Sequence, residues 1–314
     1  MKTAVIAIGG NAILPKGSTG EAEDQRRKVR ETCRVLVDLI ADGYDIALTH
    51  GNGPQVGNLL LQQEAARGIP AMPLDVAVAA TQAAIGYVLQ QELRNELARR
   101  RIHRNVTALV TQVLVDARDP AFRKPTKPIG PYYTAAEARV VRRRKGWTLA
   151  KDPRGGWRRV VPSPRPLEII ERKTIRRLLF TGTSDEVVIV AGGGGIPVVR
   201  RRGRLVGVEA VVDKDLAAGV LATGIHEKLF IILTDVPHVS LDFGTVKARR
   251  IPRIDAKALQ AHARAGQFPA GSMGPKIEAA RRFLENGGER AIITDLRSLR
   301  RALAGEAGTT VTRG

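Results

Sequence analysis

Four glycine-rich segments could let the main chain close on an anion: Gly9-Gly10-Asn11, Gly51-Asn52-Gly53, the run Gly192 to Gly195, and Gly271-Ser272-Met273-Gly274. Glycine lets backbone N–H groups approach a negative ligand, and a helix starting just beyond adds the positive end of its dipole. Any one of these segments also reads as a turn. Four of them at strand ends or helix starts point together to phosphate. Two lysines sit in matching places. Lys214 stands between Asp213 and Asp215 where a helix should open, and Lys276 follows Gly274-Pro275 at the opening of another. A cation at a helix N-terminus opposes the dipole unless an anion lies nearby. Lys124 and Lys127, in Lys-Pro-Thr-Lys-Pro, form a third basic point. The plainer alternatives are an Asp helix cap at position 213 and solvated lysines on a loop. The chain has no G-x-x-x-x-G-K-[ST] string and no G-x-G-x-x-G after its first strand, which argues against a P-loop and against a nicotinamide-binding domain.

Strands must end at these points to position them. Residues 3–8 and 45–49 are short aliphatic and β-branched runs that stop at or just before glycine, as buried parallel strands do. Residues 21–41 place Val29, Cys33, Leu36, Val37 and Ile40 on one helical face. Residues 55–67 and 74–101 are helical by composition and period, and 106–115 reads as a third strand. The alternation resumes with a helix at 166–179, a strand at 187–191, a hairpin at 197–208, a helix at 215–222 and a strand at 229–233. A helix at 274–285, a strand at 291–294 and a helix at 296–304 complete it. This rhythm predicts an α/β fold with a mainly parallel sheet covered on both faces, and ligands beyond the C-terminal strand ends. Residues 116–165 break the rhythm with clustered prolines and both tryptophans, Trp147 and Trp157. A structureless loop of that length is uncommon in a compact domain, so a protruding inserted subdomain is expected.

Bulk composition narrows the classes. The chain has 314 residues, 43% of them hydrophobic, enough for a sizeable core in one two-lobed domain. Lys plus Arg is 51 against 31 Asp plus Glu, a net charge of +20. Such a field draws anions of any kind. The arginine runs, Arg142 to Arg144 and Arg200 to Arg202 among them, lack interleaved aromatics, so specific nucleic-acid binding is not expected. A basic nucleic-acid-binding protein remains the rival from another class. The single cysteine, Cys33, excludes an internal disulfide and suits a reducing, cytoplasmic setting. No signal peptide and no membrane span is read, so a soluble protein is expected.

Longer strings make a specific resemblance. They are Ala7-Ile8-Gly9-Gly10-Asn11-Ala12, Thr49-His50-Gly51-Asn52-Gly53-Pro54-Gln55-Val56-Gly57, and Pro125-Thr126-Lys127-Pro128-Ile129-Gly130-Pro131. They continue with Val160-Val161-Pro162-Ser163-Pro164, Gly192 to Pro197, Val208 to Asp215, and Gly271 to Lys276. In this order, from Met1 to about Val311, the chain resembles the amino-acid kinase family, and within it the members that phosphorylate carbamate. The resemblance implies a three-layer α/β/α fold. Residues 1–205, with the insertion at 116–165, would form the lobe for the acid, and residues 206–314 the nucleotide lobe. It implies a homodimer acting on ATP or ADP and on carbamate or carbamoyl phosphate, with Mg²⁺ carried mainly by the nucleotide and no metal ligand assigned to the protein. Gly9, Gly10, Asn11, Gly193 and Gly194 would bind phosphate. Gly51, Asn52 and Gly53 would line the acid site. Lys214, Lys276 and Lys127 would neutralise charge, with Asp213 and Asp215 holding lysines in place. Thr234, Asp235, Val236, Ser272, Met273 and Gly274 would meet the nucleotide. Many family members carry a lysine just before the first glycine pair. Here that place is Ala7, and Lys127 or Lys124 from the insertion would reach in instead. His50 is expected to be structural. A kinase for a larger carboxylate or an amino acid is the nearer alternative.

Overall fold

The run Lys-Thr-Ala-Val-Ile-Ala-Ile forms the strand Lys2–Ile8, and its last five residues are buried without alternation. Both of its faces are covered, which is why the run is apolar throughout. The computed structural model describes residues 2–14, 21–66, 68–152, 155–180, 186–269 and 271–314. Across the eight-stranded main sheet the order is Arg253–Asp255, Thr309–Thr312, Arg290–Asp295, Leu229–Thr234, Lys2–Ile8, Tyr44–His50, Glu186–Ile189 and Asn105–Ala108. All pairings are parallel except that of Thr309–Thr312 with Arg290–Asp295.

The three layers are visible in which residues pack together. Val5, Ala7, Ala47, Phe230, Ile232 and Ile293 share one core with Ala218 and Leu221 of the helix Lys214–Gly224 and with Phe283 of the helix Met273–Glu285. Phe230 and Phe283 meet edge to face at 5.5 Å. The intervening positions Ala4, Ile6, Ile8, Ile46, Leu48 and Ile231 pack on the opposite face. There they meet Cys33 and Leu36 of the helix Ala22–Ala41, and Ile85 and Leu89 of the helix Leu74–Arg99. The fold is therefore α/β with a mainly parallel central sheet and helices on both sides.

Two expected elements differ. The single strand expected at 106–115 is two strands. Asn105–Ala108 ends the main sheet, and Gln112–Val115 joins a second sheet with Ile196–Arg201, Arg204–Gly207 and Pro166–Ile169. Between them the chain turns at Thr111, whose N–H donates to Gln82 Oε1 at 2.6 Å. The helix expected from residue 166 begins only at Arg172. Residues Pro166–Ile169 instead pair antiparallel with Gln112–Val115, a long-range pairing that local periodicity does not report. The hairpin of Val239–Leu241 with Arg249–Ile251, the helix Ala256–Arg264 and the strand Thr309–Thr312 were not expected.

The insertion has its own antiparallel sheet, Lys127–Tyr133, Trp157–Val161 and Leu149–Lys151, and a helix Ala135–Lys145. Thr134 and Glu137 form a reciprocal capping box at the start of that helix, and Gly146 stops it at φ 65°. Among the described residues no helix is long and apolar enough to cross a membrane.

Candidate active site

Three neighbouring strands deliver their C-terminal ends to one place: Ile8 leads into Gly9-Gly10, His50 into Gly51, and Thr234 into Asp235. The first two ends are tied by the Gly51 N–H, which donates to the Ile8 carbonyl at 3.3 Å. A Cβ placed on Gly51 would stand 3.5 Å from the Gly10 nitrogen and 3.3 Å from Lys214 Cδ. Gly10, Gly51 and Lys214 thus meet with little room to spare. The side chain of Asn11 lies outside the described residues.

The lysines arrive from the other side. Asp213 caps the helix Lys214–Gly224 through Oδ1, which accepts from the N–H of Asp215 at 3.0 Å and of Leu216 at 3.4 Å. Its second oxygen, Oδ2, accepts from Lys127 Nζ at 3.1 Å. The cap and the lysine partner are therefore the same residue. Lys124 is exposed and stays outside this contact, so the insertion reaches in through Lys127. Asp215 lies between the other two ammonium groups. Its Oδ1 accepts from Lys214 at 2.5 Å and its Oδ2 from Lys276 at 2.8 Å. The Asp215 side chain is 4% exposed, against 16% for Lys214 and 13% for Lys276. Burial pushes the Asp215 carboxyl up, but the two ammonium groups outweigh it and hold it down at about 2. Burial pushes Lys214 below the ordinary lysine value, Lys276 adds to that, and Asp215 opposes it.

These groups border a cleft of about 630 Å³ lined by Gly9, Gly10, Lys214, Lys276, Thr234 and Asp235, with Asp295 and Arg297 on a further wall. Val236, Ser272, Met273 and Gly274 adjoin Asp235 and Lys276 in sequence but do not line it. Ser272 presents its carbonyl to Lys276 Nζ at 3.5 Å. Gly53 opens the helix Gly53–Ala65 at an exposed position.

The tetraglycine run packs against His50 and Asn52, behind the Gly51-Asn52 loop. Gly193 has φ 67°, and a Cβ there would come within 2.2 Å of Asn52 Nδ2. Gly194 has φ 93°, and a Cβ there would stand 2.5 Å from the Val212 carbonyl oxygen. Both glycines are buried, so what the fold asks of them is close packing between Asn52 and the segment leading to Lys214. Asn52 is itself buried and donates to Thr81 Oγ1 at 3.1 Å.

Two residues that hold this wall were missed from the sequence. Gln82 donates to the Gly192 carbonyl at 2.8 Å while its Oε1 accepts from Thr111 N–H. Thr111 Oγ1 in turn accepts from the N–H of Ala191, a buried non-glycine residue at φ 49°. The available signal was an adjacent polar pair, Thr81-Gln82, among the small and aliphatic buried residues of the helix's N-terminal half.

His50 is buried and its Nδ1 lies 3.0 Å from the Gly51 carbonyl oxygen. Burial lowers it to about 4, with Lys214 adding to the effect and the Gly51 carbonyl opposing it. It is neutral at pH 7 and is a structural support. The sign for stability follows. A histidine that ionises less readily in the fold than in the open chain costs stability as pH falls from about 6.5 toward about 4. Urea titrations across that range should show the parent protein losing stability more steeply than the His50→Gln variant. Parallel slopes would show that His50 is not held neutral.

Three ammonium groups, Lys127, Lys214 and Lys276, against the two carboxylates they pair with, Asp213 and Asp215, leave this cluster cationic beside the glycine amides. Such a site can hold two anions face to face. Residues 2–295 match the profile of the amino acid kinase family. The carbamate kinase of Pyrococcus furiosus is 48% identical over 99% of this chain and 99% of its own length. That of Thermococcus kodakarensis is 47% identical over the whole of both, 100% in each case. Among solved structures, a protein of Aeropyrum pernix K1 superposes with a TM-score of 0.93 at 46% identity, covering 100% of both chains. The carbamate kinase of Giardia lamblia bound to AMP-PNP superposes with a TM-score of 0.92 at 41% identity, covering 99% of this chain and 98% of its own.

Proposed function

The chain belongs to the amino acid kinase family, and from that premise we propose that it transfers a phosphoryl group reversibly between ATP and carbamate, giving ADP and carbamoyl phosphate. The observation that carries the reading is Asp215 shared by Lys214 and Lys276 directly beside Gly10 and Gly51. A carbamate oxygen attacks the γ-phosphorus of ATP, the new O–P bond forms as the bond to the β-phosphate oxygen breaks, and ADP departs. Carbamate is already an anion, so no proton has to be removed and no general base is required. The obstacle is repulsion between two anions. Lys214, Lys276 and the amides of Gly9 and Gly10 counter it, while Asp215 fixes both lysines so that they need not reorganise as charge moves. Lys127, tied to Asp213, closes the acid side from the insertion and stands in for the lysine absent at Ala7. Mg²⁺ enters as substrate on the nucleotide phosphates, with waters completing its shell.

Carbamoyl phosphate supplied with MgADP should yield ATP at a rate proportional to protein. ATP formation no faster than in a protein-free control would end this reading.

The working form is a homodimer in the cytoplasm. The outer face of the helix Leu74–Arg99 supports the dimer: Val76 is 43% exposed and Tyr87 54%, next to Val110 at 55% beside the open edge strand Asn105–Ala108. An apolar helix face beside an unpaired strand edge calls for cover. Tyr87→Asp should sediment as a monomer at micromolar concentration where the parent is a dimer. A dimer that survives the change would place the interface elsewhere.

A further inference from the structure

We infer that a second ligand site lies between the two lysine-bearing helices, away from the lysines, and that it takes an amphipathic organic anion. The helices Lys214–Gly224 and Met273–Glu285 pack tightly at Gly219, where a Cβ would stand 3.2 Å from the Ala279 carbonyl oxygen. Along their C-terminal halves runs a cleft of about 460 Å³ whose third wall is the strand Pro166–Ile169. That volume falls in the range of small-molecule sites, roughly 300–1,000 Å³. Leu167, Leu216, Val220 and Ala279 give it apolar walls.

Three guanidinium groups, Arg165, Arg172 and Arg282, face it; Glu168 pairs with Arg172 and Glu278 with Arg282, which leaves one positive charge in excess. Among the described residues each keeps N–H groups without a hydrogen bond. Arg282 binds Glu278 through Nε, Arg172 binds Glu168 through Nη1, and the Arg165 side chain binds neither. Apolar walls beside the unengaged N–H groups of these guanidiniums suit a carboxylate or sulfonate carried on an apolar body.

The site is coupled to the lysines, a step that rests on the proposed reaction. Lys214 and Lys276 sit on the same two helices and are joined through Asp215. A ligand wedged past Gly219 and Ala279 spreads the helices and loosens that junction, so it weakens nucleotide binding. Linkage requires the nucleotide to weaken the ligand by the same factor.

Fluorescence titration with 8-anilinonaphthalene-1-sulfonate tests both parts. One saturable site per chain is expected. Its affinity should fall at least about tenfold in Arg165→Glu, which reverses charge at the rim, and in Val220→Trp, which fills the cleft. Dye-free turnover should stay near the parent value in Arg165→Glu. Saturating MgADP should weaken the dye by a finite factor that levels off. An affinity indifferent to both substitutions, or complete displacement by MgADP, overturns the site. Dye binding that MgADP leaves unchanged overturns the coupling. Neither result bears on whether carbamoyl phosphate and MgADP yield ATP, so the two readings fail separately.

Discussion

Lys214→Ala should lower kcat by on the order of 10²–10³-fold while the protein keeps its stability, since in the proposed reaction the ammonium group serves the phosphoryl group and not the fold. Several observations separate the two effects. Lys214 opens its helix, where a cation opposes the dipole, so its removal relieves the helix. Alanine is the best helix former. Asp215 keeps Lys276 at 2.8 Å, so no buried carboxylate is orphaned. The remaining ammonium also loses a like-charged neighbour, since Lys214 and Lys276 share one carboxylate. Arginine should rescue poorly. The Lys214 stem packs so closely on Gly51 that a Cβ there would stand 3.3 Å from Cδ, and a planar fork does not retrace a lysine's path. Rapid-quench turnover and a urea titration on the same preparation check the split. Turnover near the parent value in the alanine variant would remove Lys214 from the chemistry. A matching collapse in stability would make it a structural residue.

The parts of the site legible in the sequence were those that declare themselves locally. A strand that ends in glycine, a lysine placed against the helix dipole and an Asp before a helix start are each readable within a few residues. Gly10, Gly51, Asp213, Lys214, Asp215 and Lys276 therefore came out of the sequence and are found together. What local signals could not supply were contacts across long stretches of chain. Gln82 reaches Gly192 from 110 residues away, and nothing in either segment names the other. The choice between Lys124 and Lys127 needed the fold of the insertion, since both lysines sit in the same Pro-rich string. Gly193 and Gly194 look like a phosphate loop in sequence, and only Asn52 and Val212 packed against them reveal the close approach that requires glycine.

The arginine runs carry the same lesson in the other direction. They show no aromatic interleaving in sequence, yet Lys145 and Arg159 lie 4.3 and 4.2 Å from the Trp147 ring centre, and Arg142 lies 5.7 Å from that of Trp157. Part of the positive charge is thus engaged inside the insertion, where it holds that small sheet and helix together.

Asp215→Asn should be the more damaging change, since it removes the carboxylate that, among the described residues, both Lys214 and Lys276 touch. Breaking a buried ion pair by deleting one partner costs about 3–5 kcal/mol, because the remaining charge is left without compensation. Here two charges remain. Lys214 is already held below the ordinary lysine value by burial and by Lys276, with Asp215 the main opposing influence. Without it, Lys214 should give up its proton nearer neutrality. A lysine whose pKa is lowered in the fold carries its full penalty while charged, and the penalty fades as pH rises through the lowered value. The variant should therefore be markedly less stable than the parent at pH 7, and the gap should narrow toward pH 10. Turnover should not return with stability, because the neutral amine that relieves the fold cannot neutralise a phosphoryl oxygen. Thermal denaturation and ATP formation measured across this range on both proteins would show the two curves parting. A constant stability gap, or activity that recovers at high pH, would mean that Asp215 does not hold the lysines charged.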